Sequence, residues 1–141
     1  VGNRKNINIC DKENIENMGK YLSKNTVKIF NKDFEKSYDL IEKGDFIYID
    51  PPYYPLKENS FTGYTKDGFT QEDHDRLINL CKKIDKKGAK FMLSNHNCDY
   101  IKNHFKEEQF KIIQISVART LNGNKKDRKA NVKNELIIIN Y

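Results

Sequence analysis

Cysteine is scarce in this chain, and the spacing of its few cysteines excludes two common kinds of site. The 141 residues contain three cysteines, Cys10, Cys81 and Cys98, and no Cys-x-x-Cys pair. An odd number of unpaired cysteines predicts neither a disulfide framework nor a zinc centre. The three histidines also lack the spacing of metal ligands, so we expect no metal site.

Long hydrophobic runs are missing as well. No apolar run approaches the roughly 20 residues that a membrane-spanning helix needs, and the N-terminus lacks the apolar core of a signal peptide. Hydrophobic residues make up 37% of the chain and charged residues 33%, a balance typical of a cytosolic protein. We therefore expect one cytoplasmic domain over residues 1–141, with no membrane contact.

Positive charge exceeds negative charge, and one stretch concentrates it. The chain has 26 lysines and arginines against 20 aspartates and glutamates, a formal net charge of +6. Five of the basic residues fall within nine positions: Lys125, Lys126, Arg128, Lys129 and Lys133. Such a cluster can neutralise phosphates and bind nucleic acid. A solvated polar loop has the same composition, and the charge pattern alone leaves both readings open.

The most informative segment is Asp50-Pro51-Pro52-Tyr53. It follows the apolar run 46–49, whose pattern predicts a short buried strand. Ligands of open α/β sheets bind outside the carboxyl ends of the strands, so we expect this segment at a binding edge. The structural alternative is a proline turn that only ends a strand.

The chemistry of this segment suits an exocyclic amino group. The amino nitrogen of adenine is a poor nucleophile, because its lone pair is delocalised into the ring. Two acceptors that hold both N–H bonds localise the lone pair, and the Asp50 carboxylate and the Pro51 carbonyl are the candidates. Proline fixes φ and restricts the preceding residue, which gives the preorganisation that electrostatic catalysis requires. Tyr53 offers a ring on which a planar base can stack.

Four segments in order resemble the Dam-like family of adenine-specific DNA methyltransferases. Residues 50–53 resemble the catalytic motif of amino methyltransferases that use S-adenosylmethionine, and residues 55–70 resemble the loop that follows it in this family. Leu93-Ser94-Asn95-His96 is similar to the sixth motif of the family, and residues 119–141 resemble its C-terminal segment. The resemblance covers essentially the whole chain.

This resemblance implies an α/β fold and a reaction. The fold is part of a Rossmann-like, S-adenosylmethionine-dependent methyltransferase, with a mostly parallel sheet, one antiparallel strand near the C-terminus and helices on both faces. The reaction is methyl transfer from S-adenosylmethionine to N6 of a flipped adenine in double-stranded DNA. The family begins with an aromatic-Gly-x-Gly turn, whereas this chain has no Gly-x-Gly. We therefore expect the C-terminal portion of a catalytic domain, without that motif and most of the target-recognition insertion, which need not be active alone.

The resemblance also implies roles for individual residues. The catalytic residues are Asp50, Pro51, Pro52 and Tyr53, and the cofactor-binding residues are Asp33, Phe34, Asp50 and Phe69. The DNA-binding residues are Lys5, Phe61, Tyr64, Asn95, Arg119, Asn122, Lys125, Lys126 and Arg128.

Structural roles compete with several of these assignments. Asp33 is equally suited to cap a helix, Phe69 to anchor a core, and Phe61 and Tyr64 to pack within the loop. Ser94 and Asn95 end a predicted strand at the same sheet edge as Asp50, so we expect them to support the catalytic loop through hydrogen bonds.

Periodicity and capping signals predict the elements. Helices are expected at 12–23, 33–41, 71–87 and 98–106, with Asp11 and Thr70 as N-caps. Strands are expected at 26–30, 46–49, 89–93, 110–117 and 134–141.

Two rival functions accompany the DNA methyltransferase. RNA and protein amino methyltransferases commonly carry Asn instead of Asp at the first motif position. A non-catalytic fragment that binds DNA or a partner chain is the rival of another class. Because a sheet without its first strands exposes an apolar edge, that edge favours self-association or an N-terminal partner chain.

Overall fold

The computed structural model describes residues 10–56, 68–118 and 132–141. The chain divides into two compact units, Val1–Lys32 and Asp33–Tyr141. The helices and strands, in chain order, are α1 (Lys12–Leu22), a 3₁₀ helix (Phe34–Leu40), β1 (Phe46–Ile49), α2 (Gln71–Lys86), β2 (Lys90–His96), α3 (Asp99–His104), β3 (Lys111–Ala118) and β4 (Val132–Ile139). None of the helices in these ranges is long and apolar enough to span a bilayer.

The first unit contains α1, which begins where its cap predicts. The Asp11 carboxylate accepts a hydrogen bond of 3.1 Å from the backbone N–H of Asn14, the contact that defines an N-cap. The strand predicted at residues 26–30 is wrong, because the segment has no regular secondary structure. A strand needs a neighbour to satisfy its backbone groups, and the described part of this unit offers no second strand.

A mixed sheet forms the centre of the second unit. Its four described strands lie in the order β1-β2-β4-β3. β1 pairs with β2 in parallel, whereas β4 pairs antiparallel with both β2 and β3. The predicted mostly parallel sheet is therefore wrong, since two of these three pairings are antiparallel. The reason is that β4 runs against both neighbours and lies between them, so that one reversed strand forms two antiparallel ladders.

Local capping signals place the helices of the second unit. Thr70 and Asp73 form a reciprocal capping box at the start of α2, as their spacing predicts. Gly88 follows the helix with a positive φ of 79°, a conformation that glycine adopts without strain. The helix predicted at 33–41 is a 3₁₀ helix, and its N-cap Asp33 accepts a hydrogen bond from the Glu35 N–H.

The hydrophobic core lies against one face of the sheet. Register places the side chains of Ile47 and Ile49 on the same face as those of Phe91 and Leu93, because aligned residues of parallel strands point the same way. The fully buried members of this cluster also come from α2, α3, the residue after α3, and β4: Ile84, Cys81, Ile101, Phe105, Leu136 and Ile138. The helices expected on the second face of the sheet stay a prediction.

Candidate active site

The segment Asp50-Pro51-Pro52-Tyr53 begins where β1 ends. Because β1 and β2 are parallel, their carboxyl ends meet at one edge of the sheet. The Ser94 hydroxyl near the end of β2 donates a hydrogen bond of 2.7 Å to an Asp50 carboxylate oxygen. The predicted hydrogen bond between this strand end and the motif is therefore present, and it fixes the direction of the carboxylate.

Tyr54, the residue that follows the motif, is held at both its backbone N–H and its backbone carbonyl. Its backbone N–H donates to the Asn95 side-chain oxygen at 2.8 Å, and its carbonyl lies 2.8 Å from Nδ1 of His96. Since a carbonyl only accepts, Nδ1 of His96 carries the proton. The Tyr54 ring stacks on Tyr100, with centroids 4.1 Å apart and planes inclined by 17°. This residue anchors the motif to the core side of the sheet.

Asn95 is buried, and this bears on its predicted DNA contact. Only 1% of its surface is exposed, and its side-chain oxygen accepts from the N–H groups of both Tyr54 and His96. The geometry favours the supporting role over a contact with DNA. Its amide nitrogen has no hydrogen-bond partner among the described residues, which makes it an unusual buried donor.

Tyr53 lies on the other face of the sheet from Tyr54. Its hydroxyl donates to Oε2 of Glu135 at 3.3 Å, and its ring meets the edge of His96 with centroids 5.1 Å apart and planes at 85°. Burial is the main cause that raises the pKa of Tyr53; a hydrogen bond with Ser94 opposes the shift, and the charges of Glu135 and Asp50 add to it. The phenol therefore stays protonated at neutral pH and remains a hydrogen-bond donor.

A cavity of about 480 Å³ opens beside the motif, a volume within the range of small-molecule sites. Its walls come from the 3₁₀ helix, β1, the motif, the segment before α2, and α2: Phe34, Ser37, Ile47, Tyr48, Ile49, Asp50, Pro51, Pro52, Phe69, Leu77, Leu80 and Ile84. The rings of Phe34 and Phe69 lie 5.9 Å apart at 45°. Three of the four predicted cofactor residues thus share one apolar cavity with a carboxylate at its rim.

Asp33, the fourth predicted cofactor residue, faces a different environment. Nη2 of Arg76 lies 2.8 Å from both of its carboxylate oxygens, and the same guanidinium binds Glu35 and Asp73. The hydrogen bond from Arg76 is the main cause that lowers the pKa of Asp33, and the Glu35 N–H adds to it. Asp33 lines a separate, polar cavity of about 410 Å³ with Arg76. Its capping role is confirmed, and its cofactor role stays a prediction.

Most predicted DNA contacts lie outside the described residues. These are Lys5, Phe61, Tyr64, Arg119, Asn122, Lys125, Lys126 and Arg128. Among the residues that the structure does describe, no group of three or more histidine, cysteine or acidic side chains could hold a metal ion.

Three residues of this site were not predicted from the sequence. Tyr54 and His96 gain their roles only because the ends of two strands meet, a non-local fact. Glu135 carried a readable signal, because it is the single acid that opens the apolar run 136–139 of the last strand. A lone carboxylate at such a position is rarely buried without a partner.

Comparison with known proteins adds to the geometry. The model of the D12 class N6 adenine-specific DNA methyltransferases matches residues 1–121. A type II methyltransferase of Lactococcus lactis subsp. cremoris is 43% identical over 141 residues, which are 99% of this chain and 48% of that protein. A type II methyltransferase of Methanocaldococcus jannaschii is 42% identical over 142 residues, which cover 99% of this chain and 47% of that protein.

A third relative has a different name from the two type II methyltransferases. A DNA adenine methylase of Haemophilus influenzae is 35% identical over 109 residues, which are 76% of this chain and 37% of that protein. The chain spans about half the length of the two type II methyltransferases that it matches.

Proposed function

Because the chain belongs to the family of D12 class N6 adenine-specific DNA methyltransferases, we propose that it carries the catalytic motif of such an enzyme. The reaction is methyl transfer from S-adenosylmethionine to N6 of an adenine in double-stranded DNA, in the cytoplasm. We propose further that residues 1–141 are the C-terminal portion of the catalytic domain. The observation that carries the proposal is the 2.7 Å hydrogen bond that orients Asp50 beside the cavity.

Asp50 and Pro51 act on the amino group of the flipped adenine. The Asp50 carboxylate accepts one N–H bond and the Pro51 carbonyl accepts the other, so the nitrogen lone pair is directed away from the ring. S-adenosylmethionine supplies an electrophilic methyl group when it is bound. Direct attack then needs alignment more than a strong base, and fixed acceptors provide that alignment. The prolines and the Ser94 hydroxyl hold these acceptors in place.

Tyr53 supports the base outside the duplex. An enzyme that acts on a base takes it out of the stack and pays for unpairing. Stacking on an aromatic ring returns about 1–3 kcal/mol per base. The Tyr53 ring is half-buried and fixed by its hydroxyl, so one face can be presented to the base without further loss of side-chain freedom.

The described cavity fits the adenosyl part of the cofactor. Phe34 and Phe69 give two aromatic walls, and β1 and α2 give an apolar floor. A planar purine suits such walls. The proposal assigns Phe34 and Phe69 to the purine and Asp50 to the rim nearest the methyl group. This assignment covers the adenosyl part only, and we propose that residues outside the described cavity hold the methionine end of the cofactor.

Calorimetry with S-adenosylmethionine tests the cofactor proposal. The chain alone is expected to bind the cofactor weakly, and Phe34→Ala should remove that binding, whereas Phe30→Ala, a control outside the cavity, should not. Tight binding by the chain alone contradicts the view that part of the cofactor site lies elsewhere. Equal effects of the two substitutions contradict the assignment of the cavity.

The DNA substrate is tested separately. The complete enzyme is expected to transfer a labelled methyl group to duplex DNA and not to RNA or to a protein extract. The rivals, an RNA or protein amino methyltransferase, predict the opposite preference. Label in N6-methyladenine of DNA supports the proposal, and label in RNA or protein alone overturns it.

A second candidate function is association through the sheet edge. β1 is a terminal strand of the described sheet, and Phe46 and Tyr48, whose side chains point away from the core face, are 56% and 59% exposed. An apolar edge strand of this kind favours pairing with another strand. We propose that this edge of a Rossmann-like sheet accepts an N-terminal partner segment or a second copy. Light scattering tests the second copy, because a chain that stays monomeric at all concentrations argues against self-association.

A further inference from the structure

Glu135 is a buried acidic residue beside the apolar part of β4. Only 5% of its surface is exposed, and the four residues that follow it in β4 are Leu136, Ile137, Ile138 and Ile139. A carboxylate is seldom buried unless it is paired or hydrogen-bonded. One partner of Glu135 is the Tyr53 hydroxyl, 3.3 Å from Oε2.

Glu135 also lies directly opposite His96 in the sheet. The two residues are direct cross-strand partners in the antiparallel ladder of β2 and β4, so their side chains lie side by side on one face. The His96 ring meets the Tyr53 ring edge-on at 5.1 Å, while its Nδ1 donates to the Tyr54 carbonyl at 2.8 Å. Two neighbouring strands therefore hold Tyr53 at the hydroxyl and at the ring.

We propose that Glu135 is a positioning residue, which fixes the Tyr53 hydroxyl from β4 and, together with the His96 ring, sets the position of the surface on which the flipped base stacks. This inference rests on the proposed function for its purpose, but the contact itself does not. A tyrosine ring turns about two side-chain bonds. The hydrogen bond at the hydroxyl restricts the first, and the edge-on contact with His96 restricts the turn about the second, which leaves the hydroxyl in place. Glu135 acts through Tyr53 and is not assigned a contact with the base.

The acceptor of the Tyr53 hydroxyl is a carboxylate, and its charge can be separated from its position. A carboxylate forms a stronger hydrogen bond with a phenol than a neutral group does, and it adds to the rise in the pKa of Tyr53 that burial begins. Both effects keep the proton on the phenol. Glu135→Gln retains an acceptor oxygen and removes the charge, whereas Glu135→Ala removes both, so the two variants separate position from charge.

The first experiment measures Tyr53 in the chain itself. Ring-labelled tyrosine is followed by NMR as the pH rises, and Tyr53→Phe identifies the resonance. We expect Glu135→Gln to lower the pKa of Tyr53 and to leave the other tyrosines unchanged. Glu108→Gln, at an exposed acid, is the matched control. A Tyr53 titration that is the same in wild type and Glu135→Gln overturns the proposed contact.

The second experiment measures turnover by the complete methyltransferase. Glu135→Ala is expected to lower kcat by roughly tenfold or more, since small misplacements of positioned groups cost this much, with the KM for S-adenosylmethionine unchanged. Glu135→Gln should retain most of the activity. In a Tyr53→Phe background, both substitutions should have little further effect, because the hydroxyl that they hold is gone.

Each outcome of the turnover experiment bears on the inference. Additive losses in the Tyr53→Phe background, or equal losses for the alanine and glutamine variants at unchanged stability, overturn the positioning role. If the wild-type enzyme transfers no methyl group to DNA, the proposed function fails. The NMR titration then still decides whether Glu135 fixes Tyr53.

Discussion

The Ser94 hydroxyl lies 2.7 Å from a carboxylate oxygen of Asp50 and donates a hydrogen bond to it. Ser94 is 3% exposed, whereas Asp50 is exposed, so a buried donor holds a carboxylate that faces solvent. The hydrogen bond joins the ends of two parallel strands, and it leaves the second carboxylate oxygen of Asp50 able to accept an N–H bond from a substrate. The orientation of the proposed catalytic acceptor thus depends on a residue 44 positions later in the chain.

Removal of this hydroxyl should lower the rate of methyl transfer while the fold persists. In Ser94→Ala, Asp50 keeps its charge but loses its fixed direction, and loss of one hydrogen bond costs about 0.5–1.5 kcal/mol of stability. We expect kcat to fall by roughly 10- to 100-fold in the complete enzyme. Kinetics with labelled S-adenosylmethionine, together with urea unfolding, measures both quantities.

Ser116→Ala is the matched control for Ser94→Ala. Ser116 lies on β3, and its hydroxyl donates to the exposed Asn134 side chain at 3.3 Å. Its loss should change neither rate nor stability appreciably. A Ser94→Ala enzyme that turns over like this control shows that Asp50 needs no support from β2.

Substitution of Asn95 should lower the free energy of unfolding more than substitution of an exposed asparagine. Asn95→Ala leaves the partly buried N–H groups of Tyr54 and His96 without their acceptor, and an unmet buried donor costs about 1–3 kcal/mol. Asn97→Ala is the comparison, because the Asn97 side chain donates to the exposed Gln114 at 3.0 Å. The free energy of unfolding in urea is the measurement. Equal losses in the two variants contradict the anchoring of Tyr54 by Asn95.

His74 should make the fold sensitive to mild acid. The residue is 1% exposed and its ring packs edge-on against Phe69 and Tyr54. Burial lowers the pKa of His74 to about 4, although the neighbouring Asp73 and Asp75 oppose the shift. An unfolded histidine titrates near pH 6.5. Below that pH the unfolded chain binds a proton that the folded chain does not, so stability is complete above about pH 6.5 and falls as the pH drops towards 4.

The size of this effect follows from the same linkage. Between pH 7 and 4.5 the wild type should lose about 2–3 kcal/mol more free energy of unfolding than His74→Gln. Acids such as Asp33 and Asp73 titrate in both proteins, so their contributions cancel in the comparison. Chemical unfolding at a series of pH values gives the two curves. Parallel curves exclude His74 as the source of the acid sensitivity.

The sequence predicts those parts of the fold that depend on neighbours in the chain. The caps at Asp11 and Thr70 are local, because each side chain meets a backbone group three residues away, and both were predicted. The position of the motif at the end of β1 was also predicted, because an apolar run followed by Asp-Pro-Pro-Tyr indicates a strand that ends at the prolines. The strand at 26–30 failed because local propensity cannot supply a partner strand.

Non-local pairing explains the remaining errors and omissions. Nothing in the run 134–141 says that it enters between β2 and β3, and that position alone makes the sheet mostly antiparallel in its pairings. The same position brings Glu135 opposite His96 and close to Tyr53. The part of the site that residue types suggested was therefore predicted, whereas the contacts that hold it in place were not.

The most direct test of the account replaces Asp50 in the complete enzyme. Asp50→Ala removes one of the two acceptors for the adenine amino group, and loss of a preorganised electrostatic partner costs roughly 10²- to 10³-fold in rate. Methyl transfer to duplex DNA should therefore become nearly undetectable, while the affinity for DNA is largely retained. An Asp50→Ala enzyme that methylates adenine at a near-normal rate would contradict the central claim that this carboxylate holds the amino group.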